Sequence, residues 1–467
     1  MKHLQNKVED IKIAYIGGGS RSWAWGLMSD LISCDDISGT VHLFDIDNYA
    51  AQCNKIIGDK ISSLPEAKSK WNYVVSETRK DALENADFVI ISILPGTFDE
   101  MHSDVHTPEK YGIYQTVGDS TGPGGILRAM RTIPMYEVIA KDIKEYCPNA
   151  WVINYTNPMT LCTRALYRVF PEIKAFGCCH EVFSTQKLML HVLEDELGII
   201  ETDRSKIKVN VVGVNHFTWL TDVRYKNIDL MPYYKSFCEK NRGGYFKGEF
   251  VSEAWNASVF KSKEAVKMEL FEKYGVVAAA GDRHLVEFLE GKWYLESPEK
   301  AHEKQFKLTS VDWRRGDLKE KLAKRDAIVA GELEPELKRT GEEGVDQIRA
   351  LLGLRELTTN VNIPNVGQIP NLPLGAVVET NAVFRDGTVT PVMAGALPRQ
   401  IEPLVLRICV EQEILTEGIA KRDLDMIFNA FVNDPNVTCS IDDAKKLFDE
   451  MCENTKEYLT SYPKFAN

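Results

Sequence analysis

At 467 residues, with 44% apolar and 27% charged side chains, the chain has the composition of a soluble globular protein and a length that points to two domains rather than one core. A net charge of −12 excludes a nucleic-acid partner, since neutralising phosphates takes a basic face, and no apolar run approaches the ~18 residues of a membrane span. Met1 to Lys7 shows no apolar h-region and the ten cysteines follow no framework spacing, so a cytoplasmic chain with reduced thiols is expected.

The predicted elements begin with a strand, Ile11 to Ile16, which breaks into Gly17-Gly18-Gly19-Ser20 before a helical pattern through Leu27, Met28 and Leu31. In such a unit Gly17 makes the tight turn and Gly19 lets the backbone approach a pyrophosphate. The phosphate then rests, with Ser20 in the same turn, at a helix N-terminus whose free N–H groups and dipole favour an anion. Ser22 stands where the fingerprint would have its third glycine. The next strand, Gly39 to Phe44, ends in Asp45-Ile46-Asp47. An acid there accepts the ribose hydroxyls of NAD and repels the 2′-phosphate of NADP. Asp45 is the candidate, and capping of the next helix competes for it and more strongly for Asp47. The apolar run Asn85 to Leu94 reads as a central parallel strand buried on both faces, ended by Pro95-Gly96, a loop placed to flank the nicotinamide.

Tyr111 to Gly125 is a loop with five glycines and one acid, Asp119; so many glycines mean close backbone approach to a ligand or flexible linkage. A helix follows from about Ile126 through Ile143 with Arg128 and Arg131. The strand at Trp151 to Ile153 leads into Asn154-Tyr155-Thr156-Asn157-Pro158, and the strand at Ile173 to Phe176 into Gly177-Cys178-Cys179-His180-Glu181. This alternation predicts an α/β fold, a doubly wound parallel sheet over residues 1–195, with a mixed α+β domain over 196–467. In the second domain Val211 to Val214 ends in Asn215-His216-Phe217. Val277 to Ala280 ends in Gly281-Asp282-Arg283-His284, three titratable groups beside small residues; Asp282 can equally cap the helix that follows, with Arg283 as its ion partner.

Ligands in open α/β sheets sit beyond the carboxyl ends of the strands. Asn157, Cys179 and His216 can converge there as O, S and N donors to a metal with positions left for substrate; the alternative is that the cysteines only fill space. Read in order, the glycine turn, Asn157-Pro158, Cys179-His180-Glu181, Asn215-His216-Phe217 and Gly281-Asp282-Arg283-His284 resemble glycoside hydrolase family 4, the NAD- and manganese-dependent glycosidases, over nearly the whole chain. Gly177 to Phe183 and Asn371-Leu372-Pro373 bring it nearest to that family's α-galacturonidases. The resemblance implies a Rossmann-type sheet followed by a domain of the lactate/malate dehydrogenase C-terminal type. It also implies a homodimer or homotetramer, and NAD+ with Mn2+ or another divalent metal. Cys179 and His216 become the metal ligands, with Asn157 close to the metal and the sugar hydroxyls. Manganese rests on the family alone, because thiolate and imidazole by softness suit zinc better.

The chemistry so implied is an exception to the two-carboxylate scheme of glycosidases. NAD+ oxidises the sugar C3 hydroxyl, which acidifies the C2 hydrogen; a base removes it while the metal holds the C2 and C3 oxygens. The aglycone is eliminated, water adds, and hydride returns. Asp282 is the candidate base, His180 the acid for the leaving group, and Asp119 a further group for proton transfer or hydroxyl binding. Cys179-His180-Glu181 points away from phosphosugars and toward an α-D-galacturonide, whose buried carboxylate needs a cation: Arg283 by position, with Arg128 and Arg131 as alternatives. The competing functions are cleavage of another unphosphorylated α-glycoside, a simple NAD-dependent hydroxy acid dehydrogenase and, third, a nucleotide sensor without turnover.

Overall fold

The computed structural model describes residues 1–21, 23–246 and 259–466; Ser22, the third position of the fingerprint, lies outside the described residues. Strand β1 (Val8–Ile16) is flanked on one side by β2 (Ile37–Phe44) and β3 (Trp71–Val75), and on the other by β4 (Phe88–Ile91), β5 (Trp151–Asn154) and β6 (Lys174–Gly177), all parallel. The order β3-β2-β1-β4-β5-β6 is that of a Rossmann-type doubly wound sheet, in which a crevice opens beyond the strand ends where the order reverses. Connecting helices are α1 (Trp23–Ile32), α2 (Asn48–Ser62), α3 (Phe98–His106), α4 (Gly122–Tyr146), α5 (Met159–Val169) and α6 (Glu181–Leu197). All four side chains of β4 are buried, which explains an apolar run without alternation.

Most predicted boundaries shift by a few residues, and two of the shifts lie beside the strand ends. The strand expected over 85–94 pairs only over Phe88–Ile91: the N–H of Ser92 makes the last bond to β1, at the Ile16 carbonyl, and that of Ile93 is taken by the Thr156 hydroxyl at 2.9 Å. The helix expected from Ile126 begins at Gly122, where Pro123 suits a first turn that needs no N–H there. Two of these glycines make close approaches within the protein: a Cβ on Gly124 would stand 2.7 Å from Gln115 and 2.8 Å from the carbonyls of Asp104 and Gly118, and one on Gly125 2.6 Å from Ser120. The close approach is to the protein's own backbone and amide groups.

Beyond α6 a second sheet is formed by the antiparallel pair β7 (Ile207–Val214) and β8 (Phe217–Tyr225), with β9 (Val277–Ala278) and Ile228–Asp229 also pairing β8. Around it lie α7 (Ala265–Tyr274) and the short α8 (Asp282–Leu285). The chain then passes through α9 (Gly344–Leu351) and returns to the first sheet. Antiparallel strands β10 (Leu357–Pro364), β11 (Val377–Arg385) and β12 (Thr388–Pro391) extend it from β6. With Lys2–His3 beside β1, that sheet counts ten strands among the described residues. Helices α10 (Glu402–Lys421), α11 (Leu424–Asn433) and α12 (Ile441–Asn454) complete the fold.

One apolar layer joins Ile133, Leu161 and Ile173 to Leu415, Phe431 and Phe448 of the C-terminal helices; the other joins Leu31, Ile57 and Phe88 to Ile348 and Phe384. At about 1.5–3 kcal/mol for each large apolar side chain fully buried, both faces of the parallel sheet owe part of their cover to the second half of the chain. Among the described residues no helix is long and apolar enough to cross a membrane.

Candidate active site

The glycine turn is built on β1 and β2. Gly17 has φ +92°, and a Cβ on it would stand 2.0 Å from the Ser92 carbonyl oxygen. The N–H groups of Gly17 and Gly18 both donate to the Phe44 carbonyl at 2.9 Å, and that of Ser20 to Gly17 at 3.0 Å. Asp45, directly after β2, accepts the Gly19 N–H at 2.8 Å and the Asp47 N–H at 2.9 Å. Capping falls instead to Asp47, which accepts the Ala50 N–H of α2 and pairs with Arg21, each at 3.0 Å. Asp45 therefore lies beside the turn with lone pairs beyond those two bonds. Pro95 is buried in the loop after β4.

A second cluster lies past the ends of β5 and β6. Asn154, last in β5, accepts from the Tyr136 hydroxyl at 2.6 Å and the Thr156 N–H at 2.9 Å, fixing the turn into the cis Asn157–Pro158 bond. Asn157 Nδ2 donates to Asp119 Oδ2 at 3.3 Å, and its backbone carbonyl accepts from Arg128 Nε at 3.1 Å. Asn157 Oδ1 is buried without a partner among the described residues. Cys179 is buried just after β6, with the Asn215 side chain beside its thiol. Asn215 and His216 form the two-residue turn between β7 and β8, where His216 takes a left-handed backbone, φ +63°.

His216 Nδ1 lies 3.0 Å from Ser120 Oγ, which in turn donates to Asp119 Oδ1 at 2.7 Å. With the single hydroxyl proton committed to the carboxylate, Ser120 accepts from Nδ1–H, and this leaves His216 Nε2 as the free lone pair. The His284 ring lies over His216, centroids 4.0 Å apart, with its Nε2 3.6 Å from Glu181 Oε1; Glu181 Oε2 accepts the Gly281 N–H at 2.9 Å. Behind Cys179, Glu379 accepts from Asn215 Nδ2 at 3.1 Å and from Asn360 Nδ2 at 2.7 Å, and Asn360 Nδ2 also reaches the Cys179 carbonyl at 3.1 Å.

Charge in the cluster is uneven. Burial works to raise Asp119, but Arg128, His216 and His284 together hold its carboxyl well below the usual range. Burial likewise resists ionisation of Glu181, and His284, His216 and His180 overcome it, down to about 2. Burial, reinforced by His284, pushes His216 down to about 3, a neutral imidazole. Burial and then Glu379 and Glu181 push the Cys179 thiol well above its usual range, so a nearby cation is what would favour the thiolate. Burial also lifts Glu379, to about 6.

Residues 12–195 match the family 4 glycosyl hydrolases and residues 211–437 the C-terminal domain of the same family. The chain belongs to glycosyl hydrolase family 4. It is thus a glycoside-cleaving enzyme by family. An α-galacturonidase of Thermoanaerobacterium saccharolyticum is 59% identical over 465 residues, 99% of each chain. Another, of Bacillus subtilis, is 48% identical over 454 residues, 97% of this chain and 99% of that one. A Bacillus subtilis crystal structure, provisionally assigned as a glucosidase, superposes with a TM-score of 0.90 at 48% identity over 95% of this chain and 100% of that one. The 6-phospho-β-glucosidase of Thermotoga maritima solved with manganese, NAD+ and glucose-6-phosphate shares the fold, with a TM-score of 0.77 at 20% identity over 96% and 99% of the two chains.

The cluster of this family 4 member fits a divalent cation. Among the described residues no three His, Cys, Asp or Glu side chains form a ready-made cage. Cys179 Sγ, His216 Nε2 and the orphaned Asn157 Oδ1 instead offer a partial set, to be completed by oxygens of substrate or water. The glycine turn and Asp45 suit a dinucleotide in the same way, with the correction that the missing Cβ of Gly19 first makes room for Asp45, 2.9 Å away, and Ala50.

Other predicted residues fall elsewhere. His180 is at the rim, its side chain 46% exposed, with Nδ1 3.1 Å from Glu342 Oε1. Asp282 does not join the cluster: 1% exposed, it accepts the N–H groups of Val266 at 3.2 Å and Lys267 at 3.0 Å. It therefore caps α7, which precedes it, rather than the helix that follows. Arg283 does not pair with Asp282. Its Nη2 donates to the Thr116 carbonyl at 3.3 Å and to the Thr309 hydroxyl, its Nε to the Lys307 carbonyl at 3.3 Å, and it lies over the Phe260 ring. Arg131 is bound by both terminal nitrogens to the two oxygens of the buried Asp104, Nη1 at 3.0 Å. Among the predicted arginines Arg128 bears most strongly on Asp119, and its Nε holds the Asn157 carbonyl; the charges of Asp119 and Glu181 also reach Arg283. Sequence reasoning passed over Ser120, Glu181, His284 and Glu379. The first three stand in or beside quoted motifs, and Glu379 had a signal of its own, a lone acid inside an apolar strand, which is costly unless hydrogen-bonded.

Proposed function

We propose that the protein hydrolyses α-D-galacturonides with NAD+ and a divalent metal such as Mn2+, with no net redox. The observation that carries the reading is the chain Asn157, Asp119, Ser120, His216 beside Cys179, which presents three donors of fixed orientation at the strand ends. Full-length α-galacturonidase relatives at 48–59% identity support the choice of sugar. When bound, the nucleotide supplies a hydride acceptor for the sugar C3 and the metal a Lewis acid for its C2 and C3 oxygens.

The chain's own residues then have these roles. Gly17, Gly19, Ser20 and Asp45 seat the pyrophosphate and ribose, and the Pro95 loop flanks the nicotinamide. Cys179, His216 and Asn157 Oδ1 hold the metal. Asp119, anionic and partly open to solvent, accepts a sugar hydroxyl. His180, whose proton Glu342 stabilises by hydrogen bond, donates to the departing oxygen. Arg128 rather than Arg283 answers the substrate carboxylate, and the C2 base is not assigned to Asp282, whose carboxylate holds α7.

The test is turnover of p-nitrophenyl glycosides with NAD+, Mn2+ and a thiol reductant. The expected result is that α-galacturonide is cleaved faster than α-galactoside or α-glucoside, without NADH accumulation. Faster cleavage of a neutral glycoside overturns the substrate, and net NADH formation favours the dehydrogenase.

A further inference from the structure

The segment that carries Asp119 and Ser120 is held from both ends by buried carboxyl groups that take no part in the chemistry above. On one side Glu287 Oε1 accepts the N–H groups of Val117 at 2.8 Å and Gly118 at 3.0 Å. On the other, Asp434 Oδ2 accepts the Thr121 hydroxyl at 3.0 Å and the Gly122 N–H at 2.8 Å, while its Oδ1 accepts the Asn436 N–H at 2.7 Å. Burial raises the Asp434 carboxyl, and the three donors aimed at it oppose that in favour of the ionised form. Beside Asp434 lies a second carboxyl, Glu411 of α10, 4% exposed, whose Oε2 is buried without a hydrogen-bond partner among the described residues and which bears on Asp434 as Asp434 bears on it. Two buried carboxyls side by side disfavour a second charge, and a single proton held between them relieves the repulsion and partners the orphaned oxygen.

We propose that Glu411 and Asp434 share a single proton and together act as a positioning clamp for the Asp119–Ser120 segment, which is released when that proton is lost at alkaline pH. Burial and the Asp434 charge raise Glu411 well above the ordinary carboxyl range, consistent with its being the protonated partner. The charged groups that bear on the pair are Arg407, about one turn back on α10 and tied to the Asn433 carbonyl at 2.8 Å, and Glu287, whose carbonyl accepts from Asn436. When the Glu411 carboxyl gives its proton to water, two adjacent carboxylates repel. The bonds to Thr121 and Gly122 are the contacts that yield, since α4 begins there. Ser120, one residue away, then loses its hold on His216 Nδ1. Glu411 and Asp434 touch no reacting atom; they are positioning residues. The link to turnover rests on the reading of Asp119 and His216 as active-site groups.

The test uses the full-length protein, wild type and Glu411→Gln, which keeps a donor N–H and cannot ionise. Hydrogen–deuterium exchange of the backbone over 115–125, corrected for intrinsic rates, should rise in a step on the alkaline side in wild type and not in the variant. The alkaline limb of kcat/KM for the galacturonide should move up by at least about one pH unit in the variant, with turnover near neutrality within about threefold of wild type. If Glu411→Gln does not fold, Asp434→Asn, which removes the second charge, must abolish the same step. A flat exchange profile in wild type, or an unchanged step in the folded variant, overturns the proposal. A step that the variant removes, in a protein that cleaves no galacturonide, keeps the clamp and sinks only the substrate reading.

Discussion

Replacing Asp282 with asparagine separates two roles that the residue type alone leaves open. Its carboxyl is pushed up to about 7 from 3.8, first by burial and then by Glu264, with Lys267 and the two backbone N–H groups opposing. The folded chain therefore keeps a proton between about pH 4 and about pH 7 that the unfolded chain has lost, so this group's contribution falls as pH rises through that window. Above it, about three pK units amount to a deficit of about 4 kcal/mol as a ceiling, reduced by the coupling to Lys267 and Glu264. The amide of Asp282→Asn cannot ionise and still accepts one N–H of α7, so the variant should lose at most about 1 kcal/mol of capping. Its stability, measured by denaturant unfolding at about pH 5 and about pH 8, should vary less with pH than that of wild type. Turnover should stay within about tenfold, because loss of a general base costs about 10²–10⁴. A loss above about 10²-fold, with NAD+ and Mn2+ affinities intact and the slope of stability with pH unchanged, would refute the capping role and restore Asp282 as the base.

Cys179→Ser should weaken Mn2+ binding, read by electron paramagnetic resonance of free Mn2+, by more than about 10²-fold and leave the fold intact; unchanged affinity would make the cysteine structural. Glu379→Gln puts an amide donor against Asn215 or Asn360, and by misplacing both ligand-bearing turns should cost about 10–100-fold in the same assay. For Asp45→Ala the dissociation constant of NAD+ should rise at least about tenfold by loss of charge-assisted ribose bonds, and equal NAD+ and NADP+ binding in wild type would remove that assignment. Asp104→Ala strands Arg131, each partner being 1% exposed, and should cost about 3–5 kcal/mol in denaturant unfolding; a loss below about 1 kcal/mol would contradict the burial argument.

What could be read from the chain alone is what is local. Continuous apolar runs identify β4 and β5 because both faces are covered, and Gly17, Asp45 and Asn157 announce themselves by standing at strand ends. The rest depends on partners distant in sequence. Nothing near Asp282 shows that its carboxylate answers the first turn of α7, fifteen and sixteen residues upstream. Glu379 meets Asn215 across 164 residues, and Arg283 meets Thr116 across 167. For Gly124 the sequence leaves close approach and flexible linkage both open, and the neighbours it meets, Gln115 and the carbonyls of Asp104 and Gly118, make the same demand on a backbone as a ligand would.

The extension of the parallel sheet by β10, β11 and β12 bears on how the chain can be divided. A fragment ending near residue 200 would hold all six parallel strands and the glycine turn, yet β6 would become a bare edge, with its N–H and C=O groups open to pairing with another copy. Gly177, where a side chain would strike Met159 and Asn362, would keep the first of those neighbours and lose the second. The apolar faces that Ile348, Phe384 and Phe431 cover would be wet as well. The parallel half of the chain is therefore no detachable module: proteolytic nicking between the halves should leave them associated, and half-length fragments should recover their form only when refolded together.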